Sequence, residues 1–396
     1  MGFGKDYLEL VLRLGKLVPG WVESYVGPPE LAAAVNAGDV VSAEELWERV
    51  EMLAGRVLGE EPDGDRRGWL LAQLRAISTA LLWLGGERLG YAVLFERCHG
   101  ARVELVPDRQ FELTHALLDR ALPGRGDVVA RYQAWRRTQL VPRERLQASL
   151  ELLAGEMRCR CHELFDLPQS EQVIWELVSG EPWAGKADSL EQGRTLVRVN
   201  VDVPISSSGL LDLVCHEAYP GHHTESVCKE ASLVQGAGRE ELGVYVYPTP
   251  QALISEGLAC CAREALGADV ERVAADCLRA AGIPYDHETA AAVREAEALV
   301  FPVLSNIALM LDDGTSSQQA RDYARAWLLD ETDQIDEAVK DLQALSWRPY
   351  ASCYSVGLAL CRQYTAADTR RFRDLLHRQL TPADLAHPAG DVHLPW

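Results

Sequence analysis

Apolar residues three and four positions apart constrain this chain more than any other feature, because that period paints one stripe along a helix, whereas a half-buried strand needs strict alternation. The period runs through residues 7–17, 43–58, 69–84, 88–98, 108–122, 128–140 and 143–164, and again through 288–311, 316–329, 333–345, 350–364 and 368–380. Pro28-Pro29, Pro62-Asp63-Gly64, Gly85-Gly86, Pro123-Gly124 and Pro142 fall between the early segments, where helices should stop. Only residues 195–203 alternate with β-branched side chains as a strand should, with a shorter candidate at 244–247. The expected fold is therefore all-α: mainly helical, with a small β-element beside the segment discussed next. The 396 residues are expected to form a single large domain, with approximate lobes 1–180 and 181–396 sharing a cleft.

Residues 210–226, LLDLVCHEAYPGHHTES, gather three histidines and two glutamates behind an apolar lead-in of helical period. His216-Glu217 on a helix is the front half of a zinc-hydrolase signature, in which the histidine holds the ion and the glutamate activates water. The second histidine of that signature belongs four residues on, but that position is Pro220, and the next histidines are His222 and His223. At about 100° per residue, a position six on is rotated ~120° from His216, and one seven on lies roughly 10 Å along the axis. Neither serves one ion on an unbroken helix. Pro220 removes a backbone donor and Gly221 tolerates unusual backbone geometry, so the pair predicts a kink that returns a histidine to the ion. His222 is the favoured ligand, with His223 as the alternative or as a donor that shapes the pocket.

The string HEAYPGHHTE, followed by ISEGLA at 254–259, resembles domain-of-unknown-function family 885, bacterial proteins with an HExxPGHH signature and a downstream EG-containing helix. The likeness extends to VPGWVESYVGPPEL near the start, VNVDVP before the motif and RPYASCYSVG near the end. It implies a zincin-like, mostly helical metallopeptidase architecture with a central cleft, and a glutamate as third ligand. Glu256 fits that role, since a carboxylate among Leu253, Ile254, Leu258 and Ala259 requires a partner. Gly257 would then allow close helix approach. In helical zinc peptidases a strand before the metal helix pairs with extended substrate, which makes Asn200 and Asp202 candidate substrate contacts, with turn capping as the competing role. Near the end, Arg348, Tyr350 and Tyr354 are candidates to face the cleft, and a phenol there could donate to an oxyanion. The resemblance favours Tyr354 for that task.

These residues together predict a hydrolase acting on a peptide or small amide, with one Zn²⁺ or another divalent ion held by His216, His222 and Glu256. Glu217 would be the base. A metal-binding scaffold without turnover, and a hydrolase of non-peptide amides or esters, are the competing expectations. The net charge of −20 argues against nucleic acid and anionic membranes as partners. Ten cysteines without CxxC spacing, and a start lacking a basic, apolar, cleavable leader, lead to an expectation of reduced thiols and a cytoplasmic location.

Overall fold

A computed structural model describes residues 2–329, 332–343 and 348–386. Its chain is mainly helical, as the apolar period requires. Four early helices, Phe3–Leu17, Pro29–Ala37, Ala43–Glu60 and Gly64–Leu84, enclose Leu8, Val11, Leu46, Val50, Trp69 and Leu74. Polar caps set their starts: Ser42 accepts from Glu45 N, and Asp63 accepts from the amides of Asp65 and Arg66. The Pro28-Pro29 pair does not separate elements but opens a helix, with Pro29 at a position whose amide needs no partner. Val244 and Val246 complete this first core, while a second, larger one runs from Tyr91 to Leu385.

Several expected boundaries move for local reasons. The helix anticipated at 88–98 is Tyr91–His99, because Asp312 accepts from the Tyr91 amide and fixes the start there. The single helix anticipated over 288–311 is two, His287–Ala298 and Pro302–Asp312, broken before the proline. Residues 344–345, the end of another anticipated helix, lie outside the described residues, as does Trp347.

Among the described residues five strands form two small sheets: β1 (Val22–Tyr25), β2 (Gln172–Val178), β3 (Gly185–Leu190), β4 (Arg194–Asn200) and β5 (Val244–Val246). β1 and β5 pair antiparallel, Tyr25 opposite Val244. The other sheet runs β2-β4-β3, with β4 parallel to β2 and antiparallel to β3. The anticipated 195–203 strand is thus the central β4, whose Val197 and Val199 are buried. It has no edge to offer a substrate. β2 and β3 are the two edge strands of that sheet, and β3 is the one whose Gly185, Lys186, Ala187 and Ser189 line the cleft.

Candidate metal centre

The Ser207–Glu217 helix is capped by Ser206, which accepts from Gly209 N, and buries Leu210, Leu211 and Val214 completely. It stops at Glu217, where Ala218, Tyr219, Pro220 and Gly221 turn the chain, with a cis bond between Tyr219 and Pro220. The amides of Ala218 and Tyr219 both reach Val214 O, and Gly221 N reaches Cys215 O at 2.8 Å. A second helix, His222–Lys229, starts at once. Gly221 is required here by contact, not by a left-handed dihedral. A Cβ on it would lie 1.9 Å from His216 O and 2.4 Å from Cys215 O.

This turn brings His222 back beside His216, their rings 4.8 Å apart and perpendicular. From the Pro250–Ala265 helix Glu256 meets both, with Oε2 3.4 Å from His216 Nε2 and Oε1 3.6 Å from His222 Nε2. One donor atom from each of the three lies within 4.8 Å of the others. Glu256 is 3 % exposed, and its Oε2 has no hydrogen-bond partner even with His216 at that distance. Burial pushes its carboxyl up, but His222 and His216 outweigh that and hold it below its ordinary value. Two imidazole nitrogens and an orphaned carboxylate oxygen converging on one point fit a divalent ion of zinc's preference.

The paired histidines part company. His223 is fully buried and points to the opposite side, its Nδ1 2.8 Å from Thr195 Oγ1 and its Nε2 2.8 Å from Glu171 Oε2. It does not join the cluster, because consecutive helical positions diverge by about 100° and only one of the pair can face His216 and Glu256. Glu171 also takes Tyr219 Oη, Arg158 Nε and His162 Nε2, so the underside of the turn is tied down by one saturated carboxylate. Behind His222, Nδ1 lies 3.2 Å from Ser255 Oγ, which donates to Glu225 Oε2 at 2.5 Å, while Lys229 Nζ donates to Glu225 Oε1.

Glu217 lines the cleft against β3, where a Cβ on Gly185 would sit 3.4 Å from its Oε1. Burial pushes its carboxyl above the ordinary value, against the pull of His216 and His222. Across the His216, His222 and Glu256 cluster lies the Cys353–Thr365 helix, seated closely because Gly257 and Gly357 touch: a Cβ on Gly257 would be 2.2 Å from Gly357 O. That contact places Tyr354, whose ring stacks 6.2 Å from His216. Tyr350 was anticipated on the same helix but precedes it in a turn, its hydroxyl donating to Tyr354 Oη at 3.2 Å.

Three other anticipated contacts are elsewhere. Asn200 caps a turn, accepting from Asp202 N and donating to Glu181 O, and Asp202 accepts from Gly180 N. Both sit at the end of the central strand, away from the cleft lining. Arg348 is engaged by Asp312. The sequence carries no sign of Glu171 or of β1, β2 and β3, nor of a role for Ser255 although it lies within a quoted motif; Glu225, a fallback ligand by sequence, instead sits behind His222 and accepts from Ser255 and Lys229. The cleft, about 620 Å³, is also walled by Trp21, Trp183, Tyr245 and Tyr247.

No family model and no curated protein matches the chain. Among solved structures it is similar to "the putative lipoprotein from Colwellia psychrerythraea", with 18% identity, a TM-score of 0.53, and coverage of 91% of this chain and 61% of that one. A second, "a putative lipoprotein of unknown function from Shewanella oneidensis", aligns at 13% identity and a TM-score of 0.49 over 90% of this chain and 75% of that one. At such identity the Colwellia likeness speaks to the fold alone. The chain spans 61% of the length of that structure. No helix among the described residues is long and apolar enough to cross a membrane.

Proposed function

We propose that the protein is a zinc-dependent hydrolase of peptide bonds, and the observation that carries this reading is the buried Glu256 carboxylate, whose Oε2 has no hydrogen-bond partner, set beside the Nε2 atoms of His216 and His222. A protein that buries a carboxylate oxygen without a partner loses stability unless a ligand completes the site. His216, His222 and Glu256 would hold the ion. Such an ion supplies Lewis acidity, acidifying water and polarising a carbonyl.

The chain's own residues do the rest. Glu217, held above its ordinary value by burial, takes a proton from water in the cleft and returns it to the departing amine. Tyr354 donates a hydrogen bond to the oxygen that gains charge as the carbonyl becomes tetrahedral. The free edge of β3 suits an extended peptide, which would add as a strand and be held by its backbone. This agrees with what the resemblance to family 885 implies. We also assign the protein to the cytoplasm, in keeping with ten free thiols; recovery from an extracytoplasmic fraction would overturn that.

Protein purified without chelator should carry near-stoichiometric zinc, lost in His216→Ala, and should cleave members of a mixed peptide library. Glu217→Gln should retain the metal while hydrolysis falls by about 10²–10⁴, the usual worth of a general base. A native protein without metal, equally stable when zinc is added, would refute the reading. Zinc bound without turnover of any peptide, amide or ester would make it a metal-binding scaffold.

A further inference from the structure

We propose that Ser255, Glu225 and Lys229 form a positioning relay that keeps the His222 proton on Nδ1, so that Nε2 is left as the lone pair facing Glu256. The inference rests on the metal-site reading for its purpose but not for its geometry. Lys229 has only protons to give, so Glu225 Oε1 must accept from it. Ser255 has one hydroxyl proton, and it goes to Glu225 Oε2 at 2.5 Å. Having spent that proton, Ser255 Oγ can only accept from His222 Nδ1 at 3.2 Å. Each donor therefore determines the next, from a charged ammonium to one imidazole tautomer. Ser255 and Glu225 are 2 % and 6 % exposed, so water does not readily substitute for either. Orienting partners of this kind, one step behind the ligand, commonly change metal affinity by about 10–100-fold.

The relay makes a prediction that a merely structural role would not. In Glu225→Gln the shape is kept, but Lys229 still needs an oxygen, so the amide turns its NH₂ toward Ser255. Ser255 then accepts from the amide, and its own proton swings to His222 Nδ1. The imidazole proton is driven to Nε2, where it blocks the ion. Adding Lys229→Met removes the demand for the oxygen, lets the amide present it to Ser255, and restores the original tautomer. Ser255→Ala leaves Nδ1–H without an acceptor but forces no switch.

The test measures the ¹⁵N ring shifts of His222 in metal-free, ¹⁵N-histidine-labelled protein, and zinc affinity by competition with a chromogenic chelator. The unaltered protein should show Nδ1–H. Glu225→Gln should show Nε2–H with zinc affinity reduced about 10–100-fold, and the Glu225→Gln/Lys229→Met variant should recover both. An Nε2–H tautomer in the unaltered protein, or equal tautomers and affinities in the single and double variants, would overturn the proposal. Because the tautomer is read without metal, a protein that binds no zinc yet follows this pattern would sink the hydrolase reading and leave the relay standing.

Discussion

Glu256 and Glu171 flank the same four-residue turn, each meets histidines of the same motif, and each is almost wholly buried, yet their surroundings differ in one respect that separates a site from a support. Glu171 Oε1 takes Arg158 Nε at 2.6 Å and His162 Nε2 at 2.9 Å, and Oε2 takes Tyr219 Oη at 2.7 Å and His223 Nε2 at 2.8 Å. Nothing is left for a ligand. Glu256 keeps Oε2 without a partner and faces a cleft. The comparison teaches that burial of a carboxylate beside histidine says little by itself. What distinguishes the two is that both oxygens of Glu171 have hydrogen-bond partners, whereas Oε2 of Glu256 has none.

Both clusters hang from one turn, so the largest effect should come from breaking it. Gly221→Ala would push a Cβ to within 1.9 Å of His216 O, a backbone atom that cannot yield without moving the end of its helix. We expect a destabilisation beyond the ~3 kcal/mol of ordinary overpacking, together with loss of retained zinc, read by denaturant unfolding and elemental analysis. A stable Gly221→Ala protein with full metal would mean that the turn does not set the ligand geometry.

A smaller effect should separate the two carboxylates. Burial alone would raise Glu171, but hydrogen bonds from His223, Tyr219 and His162 reverse that and hold it down from 4.5 to about 2. A group depressed on folding contributes stability above its unfolded pKa and loses it as pH falls through the folded one. Glu171→Gln should therefore be a few kcal/mol less stable at neutral pH, and its stability should fall less steeply than that of the unaltered protein between pH 4.5 and about 2. Zinc content should persist in the folded variant, whereas Glu256→Gln should lose zinc and, with both proteins compared metal-free, cost little stability. Unfolding curves across pH, with metal analysis at neutral pH, check both arms; loss of zinc in Glu171→Gln would erase the distinction.

How much of this was legible depended on how local the signal was. The helices were readable because three-and-four spacing and proline or glycine punctuation are written within each segment, and the β-branched alternation exposed β4. β3 was hidden because Gly185-Lys-Ala-Asp-Ser-Leu190 carries no β-branched residue and is a strand only through its pairing with β4. The cluster of His216, His222 and Glu256 was readable as a motif, but the choice between His222 and His223 stayed open in the sequence, because the direction of the kink is set by the close packing of Gly221 against His216 O and Cys215 O. Glu171 gave no signal: it sits in a polar stretch far upstream, and only tertiary packing sets it under the turn. Tyr350 looked helical beside Tyr354, but the helix begins at Cys353, so their contact is made by the preceding turn.

The smallest effect expected concerns the open side of the comparison, where Tyr354 stands beside His216 and the Glu256 carboxylate. The Tyr350 hydroxyl donates to Tyr354 Oη at 3.2 Å, which turns Tyr354's own proton away from Tyr350 and toward the cleft. A donor in a dry oxyanion site is commonly worth about 10²–10³ in kcat, but Tyr354 is 37 % exposed and water competes for the same oxygen. Tyr354→Phe should therefore lower kcat only about tenfold, near the ~1.5 kcal/mol of a hydrogen bond to a charged group, with KM and metal content close to unchanged. Tyr350→Phe should do less, since it only releases Tyr354 to rotate. If Tyr354→Phe raised KM and left kcat intact, Tyr354 would be holding the substrate in its ground state, and oxyanion stabilisation would fall to the ion and the backbone of the cleft.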